Sequence, residues 1–300
     1  MQNPPEDVAK LRRGTLAASV LHDIPLEPRE DGVVVGSQWD ERNAWTSVGW
    51  HDLALAVDGA DPESLTGRLR LRDWLNAYVT LAQLPALHGG AHAKPSRAVA
   101  LALPVGHPLH PGQDWVVERV LGGVLHVGIG LRRPPDAEHH EQLAVPLPAS
   151  AATAAGIDTR PWWKAIAKHR EEMAVLAADR LQTDGGGILK PLGGCDVLTL
   201  LSGHWLRKHL ATEDGIGMRA VAAPMRSRGW FDLARIDPAF VGAAAVATEP
   251  ELRGVQRPLL VTAEEVGLAV ALLSPEALAR TSLADPAGSR AQHQRDVLFR

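Results

Sequence analysis

The chain has 300 residues, of which 45% are hydrophobic and 22% are charged. This composition excludes a generally disordered chain and suits one large or two modest globular domains. The formal net charge of −4 argues against a protein that coats nucleic acid, although it leaves room for a local basic site. No apolar stretch approaches the roughly 18 residues that cross a bilayer, so we expect no membrane association.

Cysteine and aromatic usage bear on the compartment and the source. The single cysteine excludes an internal disulfide, and the N-terminal stretch interleaves charges with apolar residues instead of forming a signal-peptide core. We therefore expect a cytoplasmic protein. Nine tryptophans against three phenylalanines and one tyrosine, in a chain rich in Ala, Arg, Gly and Pro, are typical of high-GC bacterial genomes.

The first part of the chain predicts a tail followed by a strand-rich half. Residues 1–32 show no clear periodicity and contain four prolines, so we expect a poorly ordered tail apart from a turn of helix around Val8 to Leu21. In the half at 33–148, Trp45–Val57 mixes β-branched and aromatic residues, which favours one or two strands. Ser64 is a helix N-cap, and the helix that it begins is expected to reach about Leu84.

The clearest local prediction is a β-hairpin at 115–131. Gly122-Gly123 separates two apolar runs, and a two-residue glycine loop is typical of a tight turn that permits only antiparallel pairing. In the second run, Leu125 to Leu131, apolar residues alternate with glycines and a histidine. This pattern predicts one buried face and a closely packed neighbour on the other. We also expect a strand at Ala98–Val105 and an edge strand at 143–147.

A weakly periodic segment divides the chain into two halves. Residues 148–160 are small and flanked by proline, and they precede a helix-rich half at 160–284 that contains short strands. Pro161 begins a helix with one apolar face, and Thr262-Ala-Glu-Glu265 is a capping box that predicts another helix. The C-terminal tail at 285–300 is polar. The predicted fold class is α+β, with a strand-rich, largely antiparallel N-terminal half and a helix-rich C-terminal half.

The segment from Asp184 to Phe240 carries most of the residues suited to chemistry. Glycine clusters at 185–187 and 193–194 surround Lys190, and Asp196 is the expected N-cap of the next helix. A glycine-rich turn that opens a helix offers free N–H groups to a phosphate or carboxylate. The spacing matches neither the P-loop nor the dinucleotide-binding fingerprint, so ordinary turns are the competing interpretation.

The single cysteine, Cys195, has two interpretations. A helix N-terminus lowers the pKa of a thiol and favours the reactive thiolate. His204 and His209, however, lie too far along the same helix to act as its base. A small, buried apolar side chain is therefore the favoured interpretation.

A basic and aromatic run follows in the same segment. Arginine with aromatic neighbours suits phosphate contact and base stacking, and it equally suits a protein interface; a solvated surface is the third interpretation. Gly229 permits a turn that would set Trp230 and Phe231 at the surface, where aromatic residues need a partner to cover them. The candidate binding residues are Lys190, Arg219, Arg226, Arg228, Trp230 and Arg235.

Two histidine pairs raise the question of a metal site. His88 with His92 and His107 with His110 flank a predicted strand about 25 Å long, so the pairs would share an ion only if their loops folded back. Neither pair has the intervening glutamate of the zinc-protease motif. We expect no bound metal, and the sequence indicates no cofactor.

Three functional hypotheses stay open. The first is a cytoplasmic, non-enzymatic interaction or assembly subunit that binds a protein partner or a second copy of itself through the Arg/Trp run. The second is a nucleic-acid-associated protein that uses the same run. The third is an enzyme acting on a phosphorylated or carboxylated small molecule at the 185–196 loops, with Lys190 and Arg226 or Arg228 as anion-binding residues. The absence of a repeat, a nucleotide-binding fingerprint or a G-x-S-x-G motif lowers the weight of the third.

Overall fold

A computed structural model describes residues 6–36, 45–82, 98–132, 144–184, 187–213, 215–233 and 238–269. Within these ranges the chain forms eight α-helices and three antiparallel sheets, so the fold class is α+β as predicted. The helices are α1 (Glu6–Leu21), α2 (Trp50–Val57), α3 (Leu65–Ala82), α4 (Ala149–Ala154), α5 (Trp163–Asp184), α6 (Val197–Leu201), α7 (His204–Glu213) and α8 (Pro238–Ala247). The strands are β1 (Leu26–Pro28), β2 (Gly32–Gly36), β3 (Trp45–Gly49), β4 (Ala98–Pro104), β5 (Val117–Leu121), β6 (Leu125–Leu131), β7 (Val145–Pro146), β8 (Ile188–Leu189), β9 (Met218–Met225), β10 (Arg228–Trp230), β11 (Leu259–Thr262) and β12 (Val266–Leu268). None of the helices in these ranges has the length and apolar character needed to cross a membrane.

Residues 6–28 form a packed helix, which includes the turn of helix expected around Val8 to Leu21, and a strand where a poorly ordered tail was expected. α1 lies against α3 with Leu11 and Ala18 buried, and β1 pairs antiparallel with β2. Pro25 and Pro28 follow the end of α1, so they remove none of its hydrogen bonds. The expectation of a tail is corrected for these residues.

The stretch Trp45–Val57 divides between a strand and a helix. After β3, α2 buries Trp50, Leu53 and Ala56 at helical spacing. The helix ends at Asp58, whose backbone is left-handed with a φ of 44°. The residue types favoured a strand throughout this stretch. The burial of one helical face instead stabilises a helix at Trp50–Val57.

The predicted hairpin lies within a four-stranded sheet in the order β4, β6, β5, with β7 also pairing β6. Gly122 and Gly123 form the turn between β5 and β6 with φ values of 51° and 66°, a conformation that residues with a Cβ resist. The glycine face of β6 is closely packed, since a Cβ on Gly128 would lie 2.5 Å from the Trp115 ring. The hairpin and its two contrasting faces are confirmed.

The second half contains a five-stranded antiparallel sheet in the order β12, β11, β9, β10, β8, so helices and strands occur in both halves. Thr262 Oγ1 accepts the N–H of Glu265 at 3.0 Å, as it would in a capping box. The Thr262 N–H also bonds to the Glu265 carbonyl, and Val266 pairs with Val261. The predicted helix is wrong here because the same side-chain bond closes a turn between two strands.

Two buried clusters meet at the sheet of β4 and β6. Ala98 and Ile129 belong to one cluster together with α3, while Ala102 and Val127 belong to the other with α5, α6 and β9. The two strands therefore contribute to both cores. α4 lies within the expected boundary at 148–160 and is buried against the first cluster. The division of the chain into two halves at 148–160 stays a prediction.

Candidate functional site

The structure separates the six candidate binding residues. Lys190, Arg228 and Trp230 share the solvent-facing side of the five-stranded sheet, whereas Arg219 lies on β9 against the core side. Arg226 is buried, and Arg235 lies outside the described residues.

A mixed apolar and basic patch forms where β8 and β10 meet α8. Side chains alternate along β10, so that Gly229 is buried while Arg228 and Trp230 lie on the opposite face. Trp230 stands opposite Ile188 on β8, and its ring meets Phe240 of α8 edge to face, with ring centroids 5.5 Å apart. We refer to Ile188, Lys190, Arg228, Trp230 and Phe240 as the Trp230 patch.

The apolar members of the Trp230 patch are only partly covered. Phe240 is 44% exposed and Ile188 is 36% exposed, and Trp230 between them is half-buried. Single exposed apolar side chains are ordinary on a protein surface, whereas a cluster that includes two aromatic rings is typical of an interaction site. The patch is therefore the strongest candidate interface in the part of the chain that the structure describes.

Of the two cations of the patch, Arg228 begins β10 and Lys190 directly follows β8. β8 and β10 pair Leu189 with Gly229 and Ile188 with Trp230, and the same register continued by one residue sets Lys190 opposite Arg228. Both side chains are exposed, and neither has an ion-pair partner within the described ranges. Like charges directly opposite each other destabilise a sheet by roughly 0.2–1 kcal/mol. An anionic group placed between them would remove that repulsion.

Arg226 is buried, with 1% of its surface exposed, although the sequence predicted a surface position. Its Nε donates to Asp196 Oδ2 at 2.6 Å, and its Nη1 and Nη2 donate to the carbonyls of Glu251 and Ala144 at 3.0 and 2.8 Å. A buried guanidinium needs such acceptors. Because each of these nitrogens already has a partner, Arg226 is not available to an external ligand.

Arg219 and Phe231 also depart from the expected surface segment. Phe231 is 7% exposed; its carbonyl accepts the Arg219 Nε at 3.3 Å, and the guanidinium lies 5.3 Å from its ring centroid. Arg219 also lies 3.7 Å from Glu213. The predicted turn at Gly229 is wrong: a Cβ there would lie 2.8 Å from Val197, so the glycine permits β10 to pack closely on α6.

The second glycine cluster forms a tight turn. Leu192 and Cys195 exchange backbone hydrogen bonds at 2.9 Å around Gly193 and Gly194, whose φ values are 58° and 83°. Arg132 Nη2 donates to the Gly193 carbonyl at 2.6 Å. Cys195 is fully buried, as favoured from the sequence.

Two N–H groups at the N-terminus of α6 already have partners. Asp196 is the N-cap as predicted, since its Oδ1 accepts the N–H of Thr199 at 2.8 Å. The N–H of Val197 donates to the Arg226 carbonyl at 2.9 Å, and the Asp196 carboxylate adds a negative charge at the same place. These contacts give the anion-binding interpretation of the turn at 193–196 no support. Gly185 and Gly186 of the first glycine cluster lie outside the described residues.

Two histidines that the sequence considered as metal ligands instead hold a loop. His107 Nδ1 accepts the N–H of Leu109 at 3.1 Å, and His110 Nδ1 accepts the N–H of Gly112 at 3.0 Å. His107 Nε2 donates to the Arg253 carbonyl at 3.2 Å. These contacts occupy the ring nitrogens that a metal would need. His88 and His92 lie outside the described residues, and the described residues contain no group of three or more side chains suited to a metal.

His126 joins this group from β6, and no spacing in the sequence indicates it. His110 Nε2 lies 2.7 Å from His126 Nδ1. Burial, followed by the neighbouring His126 and Arg70, lowers the pKa of His110 to about 4. Burial, followed by Arg226, lowers the pKa of His107 to about 3. His107 and His110 are therefore neutral at pH 7, which keeps each Nδ1 as an acceptor.

Comparison with known proteins identifies no relative of this chain. No family model, curated protein or solved structure matches the chain. The Trp230 patch and its surroundings are therefore the features that bear on function.

Proposed function

We propose that this protein is a non-enzymatic interaction or assembly subunit of the cytoplasm that binds a protein partner, either another chain or a second copy of itself, through the Trp230 patch. The observation that carries the proposal is the edge-to-face pair of Trp230 and the exposed Phe240, flanked by the exposed cations Lys190 and Arg228. Tryptophan and arginine are enriched among the residues that dominate binding energy. An apolar centre with a polar rim is the usual anatomy of a protein interface.

Nucleic acid is the second candidate for the same patch, because a tryptophan beside two cations also suits base stacking and phosphate contact. Arg219 and Arg226, which the sequence counted toward a basic surface, make contacts inside the protein. Only Lys190 and Arg228 are left in the patch, in a chain whose formal net charge is −4. Because affinity for nucleic acid grows with the number of phosphates neutralised, a protein partner is favoured.

The enzyme hypothesis loses some of the groups on which it depended. Arg226 and two N–H groups at the start of α6 have partners inside the protein, whereas Lys190 and Arg228 stay exposed in the Trp230 patch. This hypothesis therefore has the least support of the three.

The test compares association of the full-length protein with three alanine variants. Trp230→Ala and Phe240→Ala remove the aromatic pair, while Trp205→Ala is the matched control. Trp205 is 51% exposed on α7, and Lys208 Nζ lies 5.3 Å from its ring, so it offers the same chemistry on an element outside the patch. We expect the first two variants to weaken co-purification of the partner, or self-association measured by light scattering, by at least about tenfold.

Thermal melting of the isolated variants separates binding from folding. Trp230→Ala and Phe240→Ala should melt within a few degrees of the wild type, and Trp205→Ala should keep the partner. If all three variants bound alike, the proposal would be refuted. Loss of the partner on nuclease treatment, with affinity that falls steeply with salt, would favour nucleic acid instead.

A further inference from the structure

We propose that the partner adds an extended acidic segment to the edge of β8, as a sixth strand of the sheet, with a carboxylate beside Lys190 on the face of the sheet that also carries Arg228. This inference rests on the proposed function and names the chemistry of the partner at the same site. Three observations carry it: the edge of β8, which pairs with β10 alone among the described strands, the two cations and the apolar part of the Trp230 patch.

β8 is the edge of the five-stranded sheet. Its ladder with β10 uses Gly187 and Leu189, since Gly187 accepts the N–H of Phe231 at 3.0 Å and Leu189 pairs with β10. In an antiparallel ladder the intervening residues point their N–H and C=O groups away from the neighbour. Ile188 and Lys190 therefore direct these groups outward, where a further strand would form hydrogen bonds.

The cations set the charge of the added strand. Lys190 directly follows β8 and Arg228 begins β10; both are exposed, and neither has an ion-pair partner within the described ranges. A carboxylate on the added strand lies beside Lys190, on the same face as Arg228, and offsets the positive charge of the two cations. A basic strand would increase the repulsion, so the charge of the patch selects an acidic segment.

The apolar residues set the spacing of side chains in the added strand. Ile188 and Lys190 share one face of β8 because side chains two apart in a strand point the same way. The partner therefore presents an apolar residue beside Ile188 and Trp230, and an acidic residue two positions along beside Lys190. Pro191 follows directly and cannot donate to a ladder, so the edge is short and the contact should be reversible.

The probe is the blocked peptide acetyl-Thr-Val-Thr-Glu-Thr-Val-Thr-Glu-amide, added to the full-length protein and followed by amide hydrogen exchange in NMR spectra. At saturating peptide we expect exchange at the Ile188 and Lys190 amides to slow about tenfold, with the Leu189 amide unchanged because it is already in the ladder. A peptide with Gln in place of Glu should bind about tenfold more weakly. The double variant Lys190→Glu with Arg228→Glu should not bind, whereas the control Lys208→Glu on α7 should bind as the wild type.

Each of the other outcomes overturns the inference. Peptide binding without slower exchange at Ile188 and Lys190, or equal binding of a peptide with N-methylated backbone nitrogens, excludes strand addition. Equal binding of the Gln peptide excludes an acidic requirement. A single-stranded oligonucleotide that binds in place of the peptide, and depends on Lys190 and Arg228, assigns the patch to nucleic acid.

The same experiments distinguish failure of this inference from failure of the proposed function. If Trp230→Ala and Phe240→Ala lose the partner but the acidic peptide does not bind, the interface stands and strand addition falls. If those variants keep the partner and the peptide does not bind, both fall.

Discussion

Arg226 and Asp196 form a buried ion pair in which each side chain is 1% exposed. The guanidinium also bonds to the carbonyls of Glu251 and Ala144, so one side chain joins the turn after β9 to three other parts of the chain. Removing charges from water costs several kcal/mol, and this cost is offset only while both partners are present. The pair therefore serves the stability of the fold and not the binding of a ligand.

Replacing Arg226 tests that role. We expect Arg226→Ala to lower the free energy of unfolding by about 3–5 kcal/mol, because Asp196 is left buried without its partner. Arg228→Ala, on the exposed face two residues away, is the matched control and should change it by less than about 0.5 kcal/mol. Urea denaturation measures both. Equal losses in the two variants would show that the buried pair does not stabilise the protein.

His107 and His110 predict that acid destabilises the fold. Burial holds their pKa values near 3 and 4, below the ordinary value of about 6.5. Below pH 6.5, the unfolded chain therefore binds more protons than the folded one. Stability is complete above about pH 6.5 and falls as the pH drops toward about 4, by up to about 1.4 kcal/mol per pH unit for each histidine.

Urea unfolding between about pH 7.5 and 5 measures this slope. His107→Asn is the informative variant, because the Asn side-chain oxygen can still accept the N–H of Leu109 but does not titrate. We expect the free energy of unfolding of this variant to change less steeply with pH, by the contribution of one histidine. An unchanged slope would mean that His107 does not take up a proton on unfolding.

Elements that depend on a cap or a turn within a few residues could be predicted from the sequence. Elements that depend on packing against distant parts of the chain could not. Ser64 Oγ accepts the N–H of Gly67 at 3.0 Å at the start of α3, Asp196 caps α6, and Gly122-Gly123 makes the hairpin turn. Each depends on a bond or a dihedral angle within a few residues. α2 and β12 were missed because the choice between helix and strand there depends on which face another element covers.

Gly128 tests the close packing of the hairpin element. A Cβ at this position would lie 2.5 Å from the Trp115 ring, and Trp115 Nε1 donates to the Ile129 carbonyl at 2.8 Å, so the ring cannot move aside without losing that bond. We expect Gly128→Ala to lower the free energy of unfolding by about 1–3 kcal/mol. Gly267→Ala in β12 has no atom within 4 Å of the new Cβ and should cost less than about 0.5 kcal/mol. Urea denaturation curves that coincide would contradict the close packing.

At the scale of the whole molecule, the class of fold followed from the sequence but the assembly of the sheets did not. The hairpin turn implies antiparallel pairing, and that pairing is confirmed. Strands far apart in the chain, such as β8 and β10, pair through contacts that no local pattern records. The candidate site shows the same limit: Lys190 and Trp230 were selected separately without any sign that they share a face. Arg226 was selected with them because its burial could not be predicted: the carbonyls that accept its hydrogen bonds lie far away in sequence.

The most direct test of binding through the Trp230 patch is a hydrogen-exchange and side-chain-labelling footprint of the full-length protein, with its co-purified partner bound and after the partner has been removed. We expect protection at residues 187–190, at residues 228–230 and at Phe240 when the partner is bound. Trp205 on α7, which is 51% exposed, should label alike in both states. Protection centred on Trp205 or on the sheet of β1, β2 and β3, with the Trp230 patch unchanged, would contradict binding at this site.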